Sequence, residues 1–337
     1  MRGPVRRLAG AALAAAALLL GGCAALPQDV LAPHGTVARM ELGLIERSLG
    51  IMVGVAAAVY IPLAYILLRY RERPGDGRAT GTSEGNTLLE GVWTVLPFVL
   101  LVVLALPTFR DTFRLATLPS GPAVDVTVVG HQWWWEFDYP AYGIVTADEM
   151  HIPAGAVIDI TLRSADVIHA FWVPTLAGKQ DAIPGLDLHM WLEADRPGVY
   201  PGQCAEFCGL SHALMRFDVV AQSPAAFQSW VSGMQHPVTA PQSSLASEGE
   251  VLFAQLGCAG CHTIQGTSAQ GKVGPNLTGI GSRRVIVAGA LANNPADLGQ
   301  WLHDPASIIP GTVMPSFPNL NGSQLQAITA YLEGLRV

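Results

Sequence analysis

The chain has 337 residues, a prior of about two domains at roughly 150 residues each. Hydrophobic residues make up 50% and charged ones only 13%. That excludes a largely disordered chain and suits a protein part of which never meets water. With 26 acids against 19 bases the net charge is −7, which disfavours nucleic-acid binding. The cysteines are Cys23, Cys204, Cys208, Cys258 and Cys261, one lone residue and two tight pairs, a pattern that suits cofactor ligation better than a disulfide scaffold.

Arg2, Arg6 and Arg7 precede an apolar run ending at Leu20, then Gly21-Gly22-Cys23. Residues 1–22 therefore read as an export signal. Cys23 after Leu-x-Gly resembles the lipobox of bacterial lipoproteins, whose thiol is acylated; an ordinary signal with an incidental cysteine is the alternative. Residues 23–110 contain two apolar stretches. Ser48 to Leu68 holds 21 uncharged residues, about 31 Å as a helix and enough to cross a bilayer. Gly91 to Phe109 is a second, shorter one. Arg69, Arg71, Arg73 and Arg78 lie between them, so the positive-inside rule puts this loop in the cytoplasm and everything after Arg110 outside. Glu90, at the start of the second span, is either a functional membrane-edge carboxylate or an acid favoured by the helix dipole.

Residues 111–234 switch to short alternating segments such as 124–128 and 157–162, punctuated by Pro and Gly. Such a pattern predicts an all-β sandwich or barrel. Its chemistry lies in Cys204-Ala-Glu206-Phe-Cys208-Gly-Leu-Ser-His212-Ala-Leu-Met215, with His169 upstream. Two thiols, two imidazoles and a thioether form a soft donor set that favours copper, and the second thiol makes a two-metal centre feasible. Structural zinc and a Cys204–Cys208 disulfide are the competing readings. Trp133, Trp134 and Trp135 stand in a row, and strand alternation predicts that at least one reaches the surface, as an electron contact or an interface anchor. Between Asp111 and Val220 there are 14 acids and 5 bases, about −9, an acidic face that would steer a basic partner or simply keep the domain in solution.

Residues 235–247, rich in Pro, Gln and Ser, read as a linker. Beyond them, over residues 248–337, Cys258-Ala-Gly-Cys261-His262 is the c-type haem attachment pattern, in which two cysteines bind haem covalently and the next histidine is an axial ligand. Zinc and redox chemistry use related spacings, but an exported segment of about 90 residues suits a small cytochrome. Met314, the only methionine after this motif, is the candidate for the other axial position, with His303 as rival.

Taken together, the two spans, the Gly-His-Gln-Trp-Trp-Trp run at 130–135, the Asp-Val-Ile-His run ending at His169, the Tyr200-to-Gly209 run and Cys-x-x-Cys-His resemble subunit II of haem–copper cytochrome c oxidases, in the bacterial form with a fused cytochrome c domain. The resemblance implies a two-helix transmembrane hairpin, a cupredoxin Greek-key barrel and an all-α cytochrome c domain. It implies that His169, Cys204, Cys208, His212, Met215 and the Glu206 carbonyl bind a dinuclear copper centre, CuA, and that the Glu206 side chain reaches a magnesium or manganese ion shared with subunit I. It further implies that Trp133 is the electron-input tryptophan and that Glu90 stands at the entrance of a proton channel. Expected partners are subunits I and III, the membrane, and cytochrome c or a quinol–cytochrome c reductase as donor. The expected site is a bacterial inner membrane, with both redox domains on the periplasmic side. An acid often used by the family to dock soluble cytochrome c is replaced by Ala165, although Asp166 remains. Competing functions are a membrane-anchored electron carrier serving another terminal reductase and a copper-delivery protein.

Overall fold

A computed structural model describes residues 29–71 and 85–337. The export signal of residues 1–22, Cys23, and Arg73 and Arg78 of the basic loop lie outside the described residues. Helices α1 (Thr36–Arg69) and α2 (Thr87–Leu115) are each long and apolar enough to cross a membrane, and their apolar side chains are left uncovered. The apolar stretch predicts a start at Ser48, but α1 starts at Thr36. Its extra turns escape a hydropathy reading because they carry Glu41, Glu46 and Arg47. They dock on the next domain instead: Val37 and Ala38 are buried, the Ala38 N–H donates to the Leu176 carbonyl at 3.1 Å, and Arg39 pairs with Asp195. Arg47 reaches Asp111 of α2 at 3.3 Å, and the Trp191 indole donates to the Leu115 carbonyl at 3.0 Å.

Ten strands follow: β1 (Ala123–His131), β2 (Trp134–Tyr139), β3 (Ile144–Ala147), β4 (Glu149–Pro153), β5 (Val157–Ser164), β6 (His169–Trp172), β7 (Gln180–Ala182), β8 (Leu188–Leu192), β9 (Gly198–Cys204) and β10 (Arg216–Gln222). They form two five-stranded sheets, ordered β3-β2-β1-β5-β8 and β4-β10-β9-β6-β7. β1 pairs in parallel with β5, and β4 with β10, so the chain crosses between the sheets as a Greek key does. This is a cupredoxin-like fold. Period-two alternation drives it: Trp135, Phe137 and Tyr139 of β2 and Ile158, Ile160 and Leu162 of β5 are all buried, while their neighbours face outward. Phe171 stacks on Phe217 with centroids 4.6 Å apart, and Trp135 and Phe137 pack against both.

Helix α3 (Pro224–Gln235) closes the barrel, and the C-terminal segment is helical: α4 (Ser244–Gln255), α5 (Pro295–His303) and α6 (Gly322–Gly334). Ser243, Asn294 and Asn321 cap these three through side-chain oxygens. α4 packs on α6 around Phe253 and Tyr331, whose rings meet edge to face at 5.6 Å. The stretch between α3 and α4 is pinned by the Val238 N–H donating to the Arg336 carbonyl at 2.8 Å.

Phe137→Ala should destabilise the β domain by about 3–5 kcal/mol, the usual cost of emptying a fully buried aromatic site. Denaturant unfolding followed by tryptophan fluorescence measures it.

Candidate metal centre and haem site

Three neighbouring inner strands of one sheet, β10, β9 and β6, bring the soft side chains together. His169 opens β6, Cys204 ends β9, and the loop 205–215 returns to β10. Backbone hydrogen bonds close that loop: the Cys204 N–H donates to the Met215 carbonyl at 2.9 Å, and the Ala205 N–H to the Ala170 carbonyl at 3.0 Å. The sulfurs of Cys204 and Cys208 then face one another at 3.8 Å, too far for a disulfide, and both cysteines are free. His169 Nδ1 lies 3.9 Å from the Cys204 sulfur, His212 Nδ1 3.5 Å from that of Cys208, and Met215 Sδ 3.8 Å from that of Cys208. The Glu206 carbonyl oxygen stands 3.2 Å from the Cys204 sulfur. Every side chain read from the sequence as a soft ligand is therefore in one cluster, and the donor set fits a soft metal centre.

Electrostatics favours a cation there. The hydrogen bond between the two sulfurs pulls the Cys204 thiol well below its ordinary value and pushes Cys208 up. The pair thus shares a single proton in a buried place, and a bound cation is what would let both sulfurs ionise. Burial opposes charge on His169, but the hydrogen bond to Asp166 and the Cys204 sulfur outweigh it and raise its pKa. The Asp166 carboxylate lies 2.8 Å from His169 Nε2, so that nitrogen carries the proton and Nδ1 is left to ligate. Asp166 also accepts the N–H groups of Gln132 at 2.7 Å and Val167 at 2.6 Å. It is therefore fixed in place beside His169 while still exposed at the surface. Gly130 allows the histidine to pack, since a Cβ there would stand 2.8 Å from the His169 ring.

In the C-terminal segment, residues 258–260 form a 3-10 turn and the His262 N–H donates to the Cys258 carbonyl at 3.0 Å. His262 Nδ1 donates to the Pro275 carbonyl at 2.7 Å, which leaves Nε2 as the coordinating atom. Cys258, Cys261 and His262 are thus presented together on one turn. Cys258, Ala259 and Met314 are half-buried against the same apolar cluster, a cradle suited to haem. His303 is exposed on α5, in a surface groove with Asp304 and Gly322 rather than in that cradle.

Trp133 sits in the turn between β1 and β2 and is buried; of the three tryptophans it is Trp134 that keeps surface exposure. Its indole N–H donates to the Cys208 carbonyl at 3.1 Å, and a Cβ on Gly311 of the C-terminal segment would stand 2.6 Å from its ring. Trp134 is half-buried and stacks on His131 at 4.1 Å, and Trp135 is fully buried beside His169.

The sequence matches "Cytochrome C oxidase subunit II, transmembrane domain" over residues 35–110, the periplasmic domain of the same subunit over 144–223, and "Cytochrome c" over 246–336. Cytochrome c oxidase subunit 2 of Alkalihalophilus pseudofirmus is 41% identical over 326 residues, covering 95% of this chain and 94% of that one. The chain belongs to the cytochrome c oxidase subunit II family. The Bacillus subtilis cytochrome c oxidase subunit 2 is 36% identical, covering 96% of each chain, and a quinol oxidase subunit 2 of Bacillus cereus is 35% identical over 240 residues, covering 70% of this chain and 81% of that one. Membership implies CuA and a haem as cofactors, an electron-transfer role, association with subunit I in a haem–copper oxidase, and a membrane anchor.

Within this subunit II the remaining expected residues stand apart from the cluster. The Glu206 side chain points outward, 3.8 Å from the Lys179 ammonium. Glu90 is exposed in the first turn of α2, where Asn86 already caps the helix by accepting the Leu88 and Leu89 N–H groups. Sequence reasoning missed the orienting role of Asp166, whose signal was its place three residues before a ligand histidine. Asp166→Asn should weaken copper binding roughly 10–100-fold, the usual effect of losing a partner that orients a ligand. Competition with a copper chelator reads it.

Proposed function

We propose that this chain is the electron-accepting subunit of a proton-pumping haem–copper cytochrome c oxidase in a bacterial inner membrane, with its two redox domains on the periplasmic side. It takes electrons from cytochrome c or a quinol–cytochrome c reductase and hands them to subunit I, which reduces dioxygen to water, in a complex that includes subunit III. The observation that carries this reading is the closed soft-donor cluster of loop 205–215 with His169, joined in one chain to a Cys-x-x-Cys-His turn.

In this reading Cys204 and Cys208 hold the two copper atoms of CuA, His169 and His212 each present Nδ1, and Met215 and the Glu206 carbonyl complete the set. Cys258 and Cys261 would attach the haem, and His262 and Met314 would supply nitrogen and sulfur donors to its iron. When bound, these groups supply one-electron relay chemistry. The residues of the chain do the rest. Asp166 and the Pro275 carbonyl keep the two ligand imidazoles in the required tautomer. Loop 205–215 and the buried Trp135 exclude water from the sulfur pair. Trp133, bonded to Cys208 on one side and covered by Gly311 on the other, is the electron-input residue between the two domains. The Glu206 carboxylate, beside Lys179, would contribute to a magnesium or manganese ion shared with subunit I. Glu90 marks the entrance of a proton channel at the cytoplasmic edge.

The test is electron paramagnetic resonance of the oxidised, copper-loaded protein. A mixed-valence two-copper signal is expected, lost in Cys204→Ser and in Cys208→Ser; a signal from a single copper, or zinc on elemental analysis, overturns the reading. Copurification of subunit I separates an oxidase subunit from a carrier serving another reductase. Met314→His should leave the haem attached and lower its reduction potential, since exchanging the Met ligand for nitrogen removes the effect that raises it; a potentiometric titration measures this.

A further inference from the structure

Two acids of the β domain are buried for a reason the copper cluster does not supply. Asp148 and Glu149, at the corner between β3 and β4, are only 4% and 2% exposed. Buried carboxylates need strong partners, and here those partners come largely from the haem segment. Asp148 accepts the Ala288 N–H at 3.0 Å on one oxygen and the Trp135 N–H at 3.0 Å on the other. Glu149 accepts the Arg284 and Val285 N–H groups at 2.7 and 3.2 Å, with the His151 imidazole 3.6 Å away. The Ala288 carbonyl in turn accepts the Arg216 N–H at 3.2 Å, and Arg284 lies 3.8 Å from Asp218.

The segment being held is strained. Val287 and Ala288 have φ of 57° and 53°, a left-handed conformation that a β-branched valine adopts only where its surroundings enforce it. The enforcing contacts on Ala288 come from Asp148 and Arg216, both in the other domain. Between them stands Arg283, whose charge faces Glu149 and Asp148 while its guanidinium donates to the carbonyls of Asn276 and Thr278. Asn276 follows Pro275, whose carbonyl orients His262, and Trp135 packs against His169 at 5.8 Å. One chain of contacts thus runs from a haem ligand to a copper ligand through the two carboxylates. A second patch bears on the same pose: the Ser211 hydroxyl donates to the Pro310 carbonyl at 2.8 Å, Ile309 is buried in the β-domain core, and Gly311 lies on Trp133.

We propose that Asp148 and Glu149 are positioning residues, a two-carboxylate clamp that grips backbone N–H groups of the haem domain and holds it in a single docked pose over Trp133. This rests on the reading that the haem domain feeds the copper cluster. A tether alone would supply only an effective concentration of about millimolar and many orientations; the clamp selects one.

The experiment compares the intact oxidase with Asp148→Asn/Glu149→Gln. Asp148→Asn puts an amide N–H where one of its two accepting oxygens is needed, and Glu149→Gln removes the charge that faces Arg283 and leaves only a neutral amide oxygen for the Arg284 and Val285 N–H groups. Glu149→Gln alone leaves the Asp148 bonds to Trp135 and Ala288 in place and guards against misfolding of the double variant. Hydrogen–deuterium exchange at the amides of Arg284, Val285 and Ala288 should rise about tenfold or more, the factor that one charge-assisted hydrogen bond is worth. After a flash that reduces the haem, transfer to copper should slow, while haem reduction by external donor, the haem spectrum and the two-copper signal stay unchanged. Unchanged exchange at the three amides overturns the clamp, and so does faster exchange with unchanged haem-to-copper transfer. Absence of haem-to-copper transfer in the unsubstituted oxidase would instead overturn the electron-transfer reading, and the exchange data would still judge the clamp.

Discussion

The backbone bond between the Cys204 N–H and the Met215 carbonyl is the constraint on which the cluster depends. It joins the end of β9 to the start of β10 and forces the intervening residues into a closed turn. Within that turn the two sulfurs face inward, because the exposed Phe207 and Leu210 take the outward positions. Two ionised sulfurs at 3.8 Å in a buried place would repel strongly. A cation between them would relieve that repulsion, and the thiol, imidazole and thioether donors are what make a soft ion the better fit.

The two ligand imidazoles described here are oriented in different ways. His169 leans on a carboxylate, which adds charge and raises its basicity, whereas His262 leans on the neutral Pro275 carbonyl, and burial pulls its pKa down. Both devices leave one nitrogen free for a metal.

Much of this was legible in the sequence, and the reason is chemical. Covalent haem attachment and a compact thiol loop both demand fixed local spacing, so Cys258, Cys261, His262 and the run from Cys204 to Met215 are visible as strings. The period of two in β2 and β5 likewise shows which residues face the core. What stayed hidden depends on long-range partners. Asp148 and Glu149 count toward the acidic surplus of the β domain, yet their partners lie more than a hundred residues away, at 284–288. Asp166, Asp195 and Asp218 are likewise engaged within the chain, so the surplus overstates the free acidic surface. The burial of Trp133 stayed hidden because alternation stops at a turn, and the first turns of α1 because charged residues that dock on protein look the same as charged residues in water.

Helix α1 lacks one bond of its ladder, at Pro62 within the apolar span, and continues from there as one helix up to the Val37 and Ala38 contacts. It therefore acts as a rigid mast. The altitude and compass bearing of the copper pocket are set by counting residues along it, and an insertion of one residue above the bilayer would lift the platform by about 1.5 Å and swing it by roughly 100°. An insertion there would therefore misplace the pocket relative to a neighbouring subunit in the membrane.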